Sequence, residues 1–479
     1  MSQIIIKPRH FTPRWHSEDY PVFRGNFNSA ANMENVDLTS PSSMTQGKGI
    51  AALTNGTQAG AITTLLKGMT KTAVTDNVAY GVGGAKLQQF SATAVTNAGS
   101  FPHTITGTGT ITGEDVVHYD GKLYYSYNDS NTPSGDVGRY DLSTTFVDSY
   151  FVGELSGTAL QNAPHQMVAN GDMVFIANGK YVAVIDLLHT TATDDGLDLV
   201  DGEISSMTWN SNLKIASNSP AITGANVVDS KIYSWDGYDD SWIGDPISVG
   251  GRIGALYTKN GITFVWYENR VGTSLINTFG YLGEGRVIPL ATFDGDCPEY
   301  WQVAERGDYI IWLSGDKLYA YGSLSEQPVG LSQLMTSQYS NGGGISAPFG
   351  EVLISSYAST NFSLVKESGY TVSSSWKSMV FPMASGSELF QIDNIVVFTE
   401  ELSSGAKMDT VLRYNSGIET MNLDQIAYSA SKPIRHIIGK GNLPKVSDFR
   451  LELSFANGSV TNSVKVKQIE VQGHSVPAK

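Results

Sequence analysis

Cysteine is nearly absent. Cys297 is the single one in 479 residues, so neither an intrachain disulfide nor a cysteine-ligated metal cluster can form. Charge is scarce as well: Asp, Glu, Lys and Arg make up 16% of the chain, against roughly 25% in an average globular protein. What charge there is leans negative, with 46 acidic and 31 basic residues and a formal net charge of −15. No basic stripe runs along the sequence, which excludes a nucleic-acid grip built on phosphate neutralisation. An acidic wall instead lets DNA slide past without specific binding. Long apolar runs are lacking too. The start "MSQIIIKPRHFTPRW" has only Ile4 to Ile6 in succession, too short for a signal-peptide core or a membrane span. The expectation is a chain made in a cytoplasm, without membrane insertion.

What is present is glycine, at 50 residues, and a hydrophobic fraction of 41%. With Ser, Thr and Asn filling much of the rest, this mixture suits short strands and tight turns and suits long helices badly. The length predicts two or three domains.

One phrase recurs. "HYDGKLYYSYND" (His118–Asp129) and "LSGDKLYAYG" (Leu313–Gly322) each set a polar glycine turn before Lys-Leu-Tyr and more aromatics. Looser copies are "YGVGGAKLQQFS" (Tyr80–Ser91), "VANGDMVFIANGKYVAVIDL" (Val168–Leu187), "VVDSKIYSWDG" (Val227–Gly237), "LYTKNGITFVWYEN" (Leu256–Asn269) and "FGEVLISSYAS" (Phe349–Ser359). Turns of the Asn-Gly, Asp-Gly and Gly-Asp kind reverse a chain at little steric cost. In "KLYAYG", Leu318 and Ala320 point one way and Tyr319 and Tyr321 the other, so both faces are apolar and the strand lies between neighbouring sheets. A spacing of roughly 40 to 60 residues is the period of propeller blades. Residues 61–373 are therefore expected to form a β-propeller of about five to seven irregular blades; a two-sheet sandwich with regular hairpins is the alternative.

The ends differ. Residues 1–60 carry Pro8, Pro13, Pro21 and Pro41 together with Arg9, Arg14, Trp15, Tyr20 and Phe23. This is expected to be an extended arm that either binds a neighbouring subunit through those five residues or lies back on its own chain. Residues 374–479 read as clean strands. Phe449, Leu451, Leu453 and Phe455 line one face, with Arg450, Glu452 and Ser454 opposite. That alternation predicts a small antiparallel β-sandwich. The phase slip from Val464 and Val466 to Ile469 and Val471 predicts a β-bulge near Gln468.

Residues that would carry chemistry are few. "SWDGYDDSW" (Ser234–Trp242) is close to the Asp-box hairpin of sialidases, but Gly237 follows Asp236 directly, and a turn held by Asp236 and packed by two tryptophans fits better. Asp194, Asp195, Asp198 and Asp201 in "TDDGLDLVDGE" are weak calcium candidates in an acidic loop, without the EF-hand spacing. The eight histidines form no HxxxH or HxH pair, so no metal site, no catalytic residue and no cofactor are expected. Tyr238, Trp242, Tyr300 and Trp301 are candidates for stacking on a sugar face.

"GNFNSAANMENVDLTSPSSMTQGKGIAALTNG" (Gly25–Gly56) resembles the entry segment of β-propeller virion proteins of tailed bacteriophages. The matching positions are Asn35, Val36, Asp37 and Leu38, then Gln46, Gly47 and Gly49, and later Gly83, Gly84, Lys86 and Leu87. "GDPISVGGRIGALYTKNGITFVWYEN" (Gly244–Asn269) is similar to a mid-propeller segment of that group, and "FANGSVTNSVKVKQIEVQG" to its closing strands. Where those proteins read Arg-Pro-Gly, this chain has Gln46-Gly47-Lys48-Gly49. The resemblance implies a non-enzymatic component of the virion tail, a hub or nozzle in the neck–tail assembly. Such a protein forms a homo-oligomeric ring around the DNA path, with portal, adaptor and tail proteins as partners. A receptor-binding module that takes host glycan is the second expectation, and a propeller glycan hydrolase or lyase the third.

Overall fold

The computed structural model describes residues 2–6, 30–34, 36–37, 45–46, 48–53 and 64–477, apart from 72–77, 97–98, 132–133, 187, 189, 201, 220–229, 272–273, 294, 323–329, 337–342, 359–360, 371–372, 379, 383–387, 432 and 457–463. Arg9, Arg14, Trp15, Tyr20, Phe23 and Asp201 lie outside the described residues. Among those described, no helix is long and apolar enough to cross a membrane.

The reversals read from the sequence make hairpins. Asp120 and Gly121 hold φ of 46° and 69°, the backbone of a type I′ turn, and Tyr119 pairs with Lys122 across it. Asn260 and Gly261, at 50° and 75°, do the same between Lys259 and Ile262. Asn178-Gly179 is shifted by one position: Asn178 pairs with Tyr181, and the turn is Gly179-Lys180. The Asn178 carboxamide explains the shift. Its Oδ1 accepts from Gln161 N at 2.6 Å and its Nδ2 donates to Asp194 O at 2.8 Å, which ties the residue into the sheet.

Repetition of these hairpins gives seven four-stranded sheets. Their innermost strands begin at Met69, Ile111, Met167, Glu203, Ile253, Val303 and Ile345. Each inner strand lies against the next, and Ile345–Ser346 lies against Met69–Lys71, so the ring closes. The fold is a β-propeller, and its seven sheets are the upper end of the expected count. The seventh sheet runs Ile345–Ser346, Leu353–Ala358, Asn361–Tyr370 and then Lys48–Ala52, so its outermost strand comes from early in the chain.

The doubly apolar strands do what their pattern implies. In Lys122–Asp129, Leu123, Tyr125 and Tyr127 pack with Tyr80, Val82 and Leu87 of the preceding blade. Tyr124, between them in sequence, packs with Met167, Val174 and Ile176 of the following blade. One strand thus fills two cores. Leu318, Tyr319 and Ala320 are all buried as well.

Contacts divide the chain into two compact units, 52–316 with 338–366, and 1–51 with 317–337 and 367–479. The second unit contains two antiparallel sheets. One runs Ser2–Ile6, Val466–Pro477, Glu388–Thr399, Arg435–Lys440, and the other Ala30–Glu34, Ser373–Ser378, Asp448–Ala456, Lys407–Tyr414, Glu419–Asn422. Phe449, Leu451, Leu453 and Phe455 are buried on one face, with Ser454 exposed and Arg450 and Glu452 half-buried on the other, as the alternation required. The predicted bulge is present. Phe398 pairs with Gln468 and Thr399 with Val466, which leaves Lys467 as the extra residue.

The early segment folds onto its own chain where it is described. Ser2 to Ile6 pair with Gly473 to Ile469, and Ala30–Glu34 pairs with Ser373–Ser378. Both additions supply hydrogen-bond partners to what would otherwise be open sheet edges.

Candidate functional site

Polar side chains concentrate where the inner strands begin. Three of those strands, Ile111–Tyr119, Glu203–Asn210 and Ile253–Lys259, carry a register shift at the same place, between Gly113 and Asp115, Ile204 and Ser206, and Ile253 and Ala255. A bulge inserts one residue and re-aims the chain; here the inserted residues are Glu114, Ser205 and Gly254. The residue after the bulge faces the next blade. Asp115 Oδ2 accepts from Met167 N at 2.8 Å, and Ser206 Oγ accepts from Leu256 N at 2.9 Å. Further along, Thr208 Oγ1 accepts from Thr258 N at 3.0 Å. Gln166 clamps Met207 through both its backbone groups, and Asn218 clamps Ile253 likewise. Ser206→Ala leaves the buried Leu256 N–H without its acceptor. It is expected to cost about 2 kcal/mol, read as a lower urea midpoint with an unchanged m-value.

Two ion pairs sit at these bulges. Lys67 Nζ lies 2.6 Å from Glu114 Oε2, and Glu114 is 3% exposed. Burial raises the Glu114 carboxyl above the ordinary range, and the Lys67 ammonium opposes that rise. Tyr300 Oη donates to the Glu114 carbonyl at 3.1 Å, and Lys67 Nζ stands 5.1 Å from the centre of the Trp301 ring. Behind Glu114, Asn128 Nδ2 donates to Ala163 O at 2.9 Å, and the buried His165 sets Nδ1 2.7 Å from Ala177 O. Burial lowers the His165 imidazole to about 4.

The second pair is Arg252 Nη2 with Glu299 Oε1 at 2.6 Å. Glu299 also starts the short 3₁₀ turn Tyr300–Gln302 through a reciprocal capping box with Gln302. That box fixes the direction of Tyr300 and Trp301. Arg252, Glu299 and Trp301, with Glu203 and Ser205, line a cleft of about 410 Å³. Ser205 Oγ is buried and makes no hydrogen bond among the described residues. Donors and acceptors converge there, with the charges largely cancelled in pairs. Cys297, close by, is buried, and burial holds its thiol well above the usual range.

The aromatic residues singled out from the sequence fall in two places. Tyr238 is 65% exposed, at a turn where Asp236 Oδ1 accepts from Tyr238 N at 2.9 Å and Asp239 N at 3.1 Å. Trp242 packs edge-on against Tyr233, with ring centres 5.0 Å apart, and Trp235 is buried, so the turn is packed by both tryptophans. Tyr300 is buried and edge-on to Trp301 at 4.8 Å; it supports the cleft wall and is no exposed stacking platform. Trp301 lines the cleft.

The acidic stretch is not a loop. Asp194, Asp195 and Asp198 lie on the strand Ala192–Asp198, where successive side chains alternate faces. Asp198 pairs with Lys180 at 3.1 Å. No group of three His, Cys, Asp or Glu suited to a metal occurs among the described residues.

Lys67, Glu114, Ser205, Arg252 and Glu299 were not singled out from the sequence. One signal was available: Lys67–Glu114 and Arg252–Glu299 both join residues 47 apart, which is one blade.

No family model matches the sequence, and no curated protein matches it. Some solved structures are similar at low identity, a β-propeller domain among them. The extracellular domain of a one-component system from B. thetaiotaomicron shares 10% identity at a TM-score of 0.45, covering 84% of this chain and 49% of that one. Hydrazine synthase of Kuenenia stuttgartiensis shares 12% at 0.43, covering 66% and 99%. The β-propeller domain of the Trilobed protease from Pyrococcus furiosus shares 13% at 0.38, covering 71% and 96%. Likeness at this level carries nothing about activity.

Proposed function

We propose that the chain is a non-enzymatic structural protein of a tailed-phage virion, a tail hub or nozzle component of the neck–tail assembly beside the DNA path. The observation that carries this reading is the use of polar groups on and beside the inner strands. Asp115, Gln166, Ser206, Thr208 and Asn218 each bind the backbone of a neighbouring blade. Such stitching favours a stiff block over a deformable active site. The net charge of −15 supports passage of DNA without adhesion. The segment with Arg9, Arg14, Trp15, Tyr20 and Phe23 is the proposed contact to a neighbouring subunit or to portal, adaptor or tail proteins.

The test is assembly. The full chain is expected to sediment as a defined ring-sized oligomer, alone or with portal and tail proteins. Removal of residues 1–60 is expected to abolish this. Because that deletion also removes paired strands, a second variant changes only Arg9, Arg14, Trp15, Tyr20 and Phe23 to alanine. It should keep its circular dichroism and thermal midpoint while losing the oligomer by at least about tenfold in association constant, roughly 1.4 kcal/mol. An unchanged oligomer in a folded five-residue variant, or release of reducing sugar by the wild type, overturns the reading.

A further inference from the structure

A cleft opens beside the Arg252–Glu299 pair. We propose that it is a binding site for a neutral pyranose sugar, presented as a terminal residue or a short glycan.

The argument starts from size. About 410 Å³ falls within the ~300–1,000 Å³ of small-ligand sites, and a single pyranose ring fits inside it. The second observation is how the wall is built. The bulge between Ile204 and Ser206 inserts Ser205, which lines this cleft while its Oγ is closed to solvent. At the equivalent bulge of the next blade stands Gly254, where a Cβ would run into the Pro298 carbonyl and Cys297 Sγ.

The charges choose the ligand. Glu203 and Glu299 oppose the single guanidinium of Arg252, which is already paired at 2.6 Å. An anionic ligand would meet net negative charge and would have to break that pair. A neutral polyol does neither. Its hydroxyls donate to the carboxylates and accept from the guanidinium, the mixed pattern that vicinal hydroxyls satisfy. Trp301 supplies the flat apolar wall. Its orientation is fixed by Tyr300 edge-on at 4.8 Å and by the Lys67 ammonium 5.1 Å from its centre, so little order is lost on binding.

The test uses the full chain and does not depend on assembly. Methyl β-D-glucopyranoside, methyl β-D-galactopyranoside and N-acetylglucosamine are titrated, followed by tryptophan fluorescence and saturation-transfer NMR. At least one is expected to bind saturably with a Kd of about 1–10 mM, the range of a few hydrogen bonds and one stacking contact. Trp301→Ala is expected to weaken it at least about tenfold, and Tyr238→Ala, at the separate turn, to leave it unchanged. Trp301→Leu keeps apolar bulk without the flat ring and is expected to weaken it likewise, so it serves if Trp301→Ala fails to fold. Absence of saturation up to about 50 mM with all three sugars overturns the proposal. So does full retention of binding in a folded Trp301 variant, or tighter binding of glucose 6-phosphate than of the neutral glycosides. Failure here leaves the assembly test standing, and failure there leaves this one.

Discussion

Asp115→Asn is expected to destabilise the protein at pH 4 and to stabilise it at pH 8. Asp115 is buried on the inner strand Ile111–Tyr119, and burial raises its carboxyl from 3.8 to about 7 against the opposing pull of the Met167 and Val116 N–H groups. Between those two values the unfolded chain releases the proton while the folded protein keeps it. The wild type therefore has its full contribution below about 4 and loses it as pH rises through about 7. The loss runs at roughly 1.4 kcal/mol per pH unit, about 4 kcal/mol in all. Asparagine does not ionise and has no such slope. It gives up one of two acceptor oxygens, however, and leaves either Met167 N or Val116 N poorly served, at about 2 kcal/mol. The variant should thus start about 2 kcal/mol below the wild type and finish about as far above it. His165, held near 4 by burial, contributes the opposite slope below its ordinary value. It does so in both proteins, so it cancels in the difference. Urea titrations of the pair at half-unit steps from pH 4 to 8 measure this directly. A difference that stays constant with pH refutes it.

Trp266→Ala is expected to cost about 4 kcal/mol, in the range of large-to-small aromatic deletions. Trp266 is completely buried. Its ring centre lies 4.9 Å from Phe279 and 5.5 Å from Trp312, and Phe279 and Trp312 stack at 5.0 Å. Alanine opens a cavity among rings too rigid to collapse into it. Trp266→Phe should cost far less, about 1 kcal/mol, because it keeps most of the packing and removes an indole N–H that is buried without a partner among the described residues. Guanidinium unfolding monitored at the propeller's tryptophans compares the three proteins. Similar losses for alanine and phenylalanine would mean that the N–H, and not the volume, matters.

Local features of the fold were legible before the structure. Asp120-Gly121 and Asn260-Gly261 announce their turns because few other pairs tolerate two successive positive φ values. The slip from Val466 to Ile469 shows its bulge because side chains on a strand alternate strictly. Asn178-Gly179 misled by one position because the Asn178 amide is held by Gln161 and Asp194, and such a tertiary contact leaves no local mark. The acidic stretch 194–198 misled for a similar reason: its residues have poor strand propensity, and pairing with Tyr181–Ile185 overrides it. The cleft was illegible because its chemistry is assembled across blades. Tyr300 meets Glu114 over a separation of 186 residues, and no spacing rule reaches that far. Trp301 was visible as an aromatic, whereas its neighbours Ser205 and Arg252 look like any other serine and arginine.

The pairing of Ser2–Ile6 with Val466–Pro477 also orders events in time. A ribosome delivers the first of these strands long before the second, and until then the first has no partner in that sheet. The sheet is therefore completed only after translation has passed Val466.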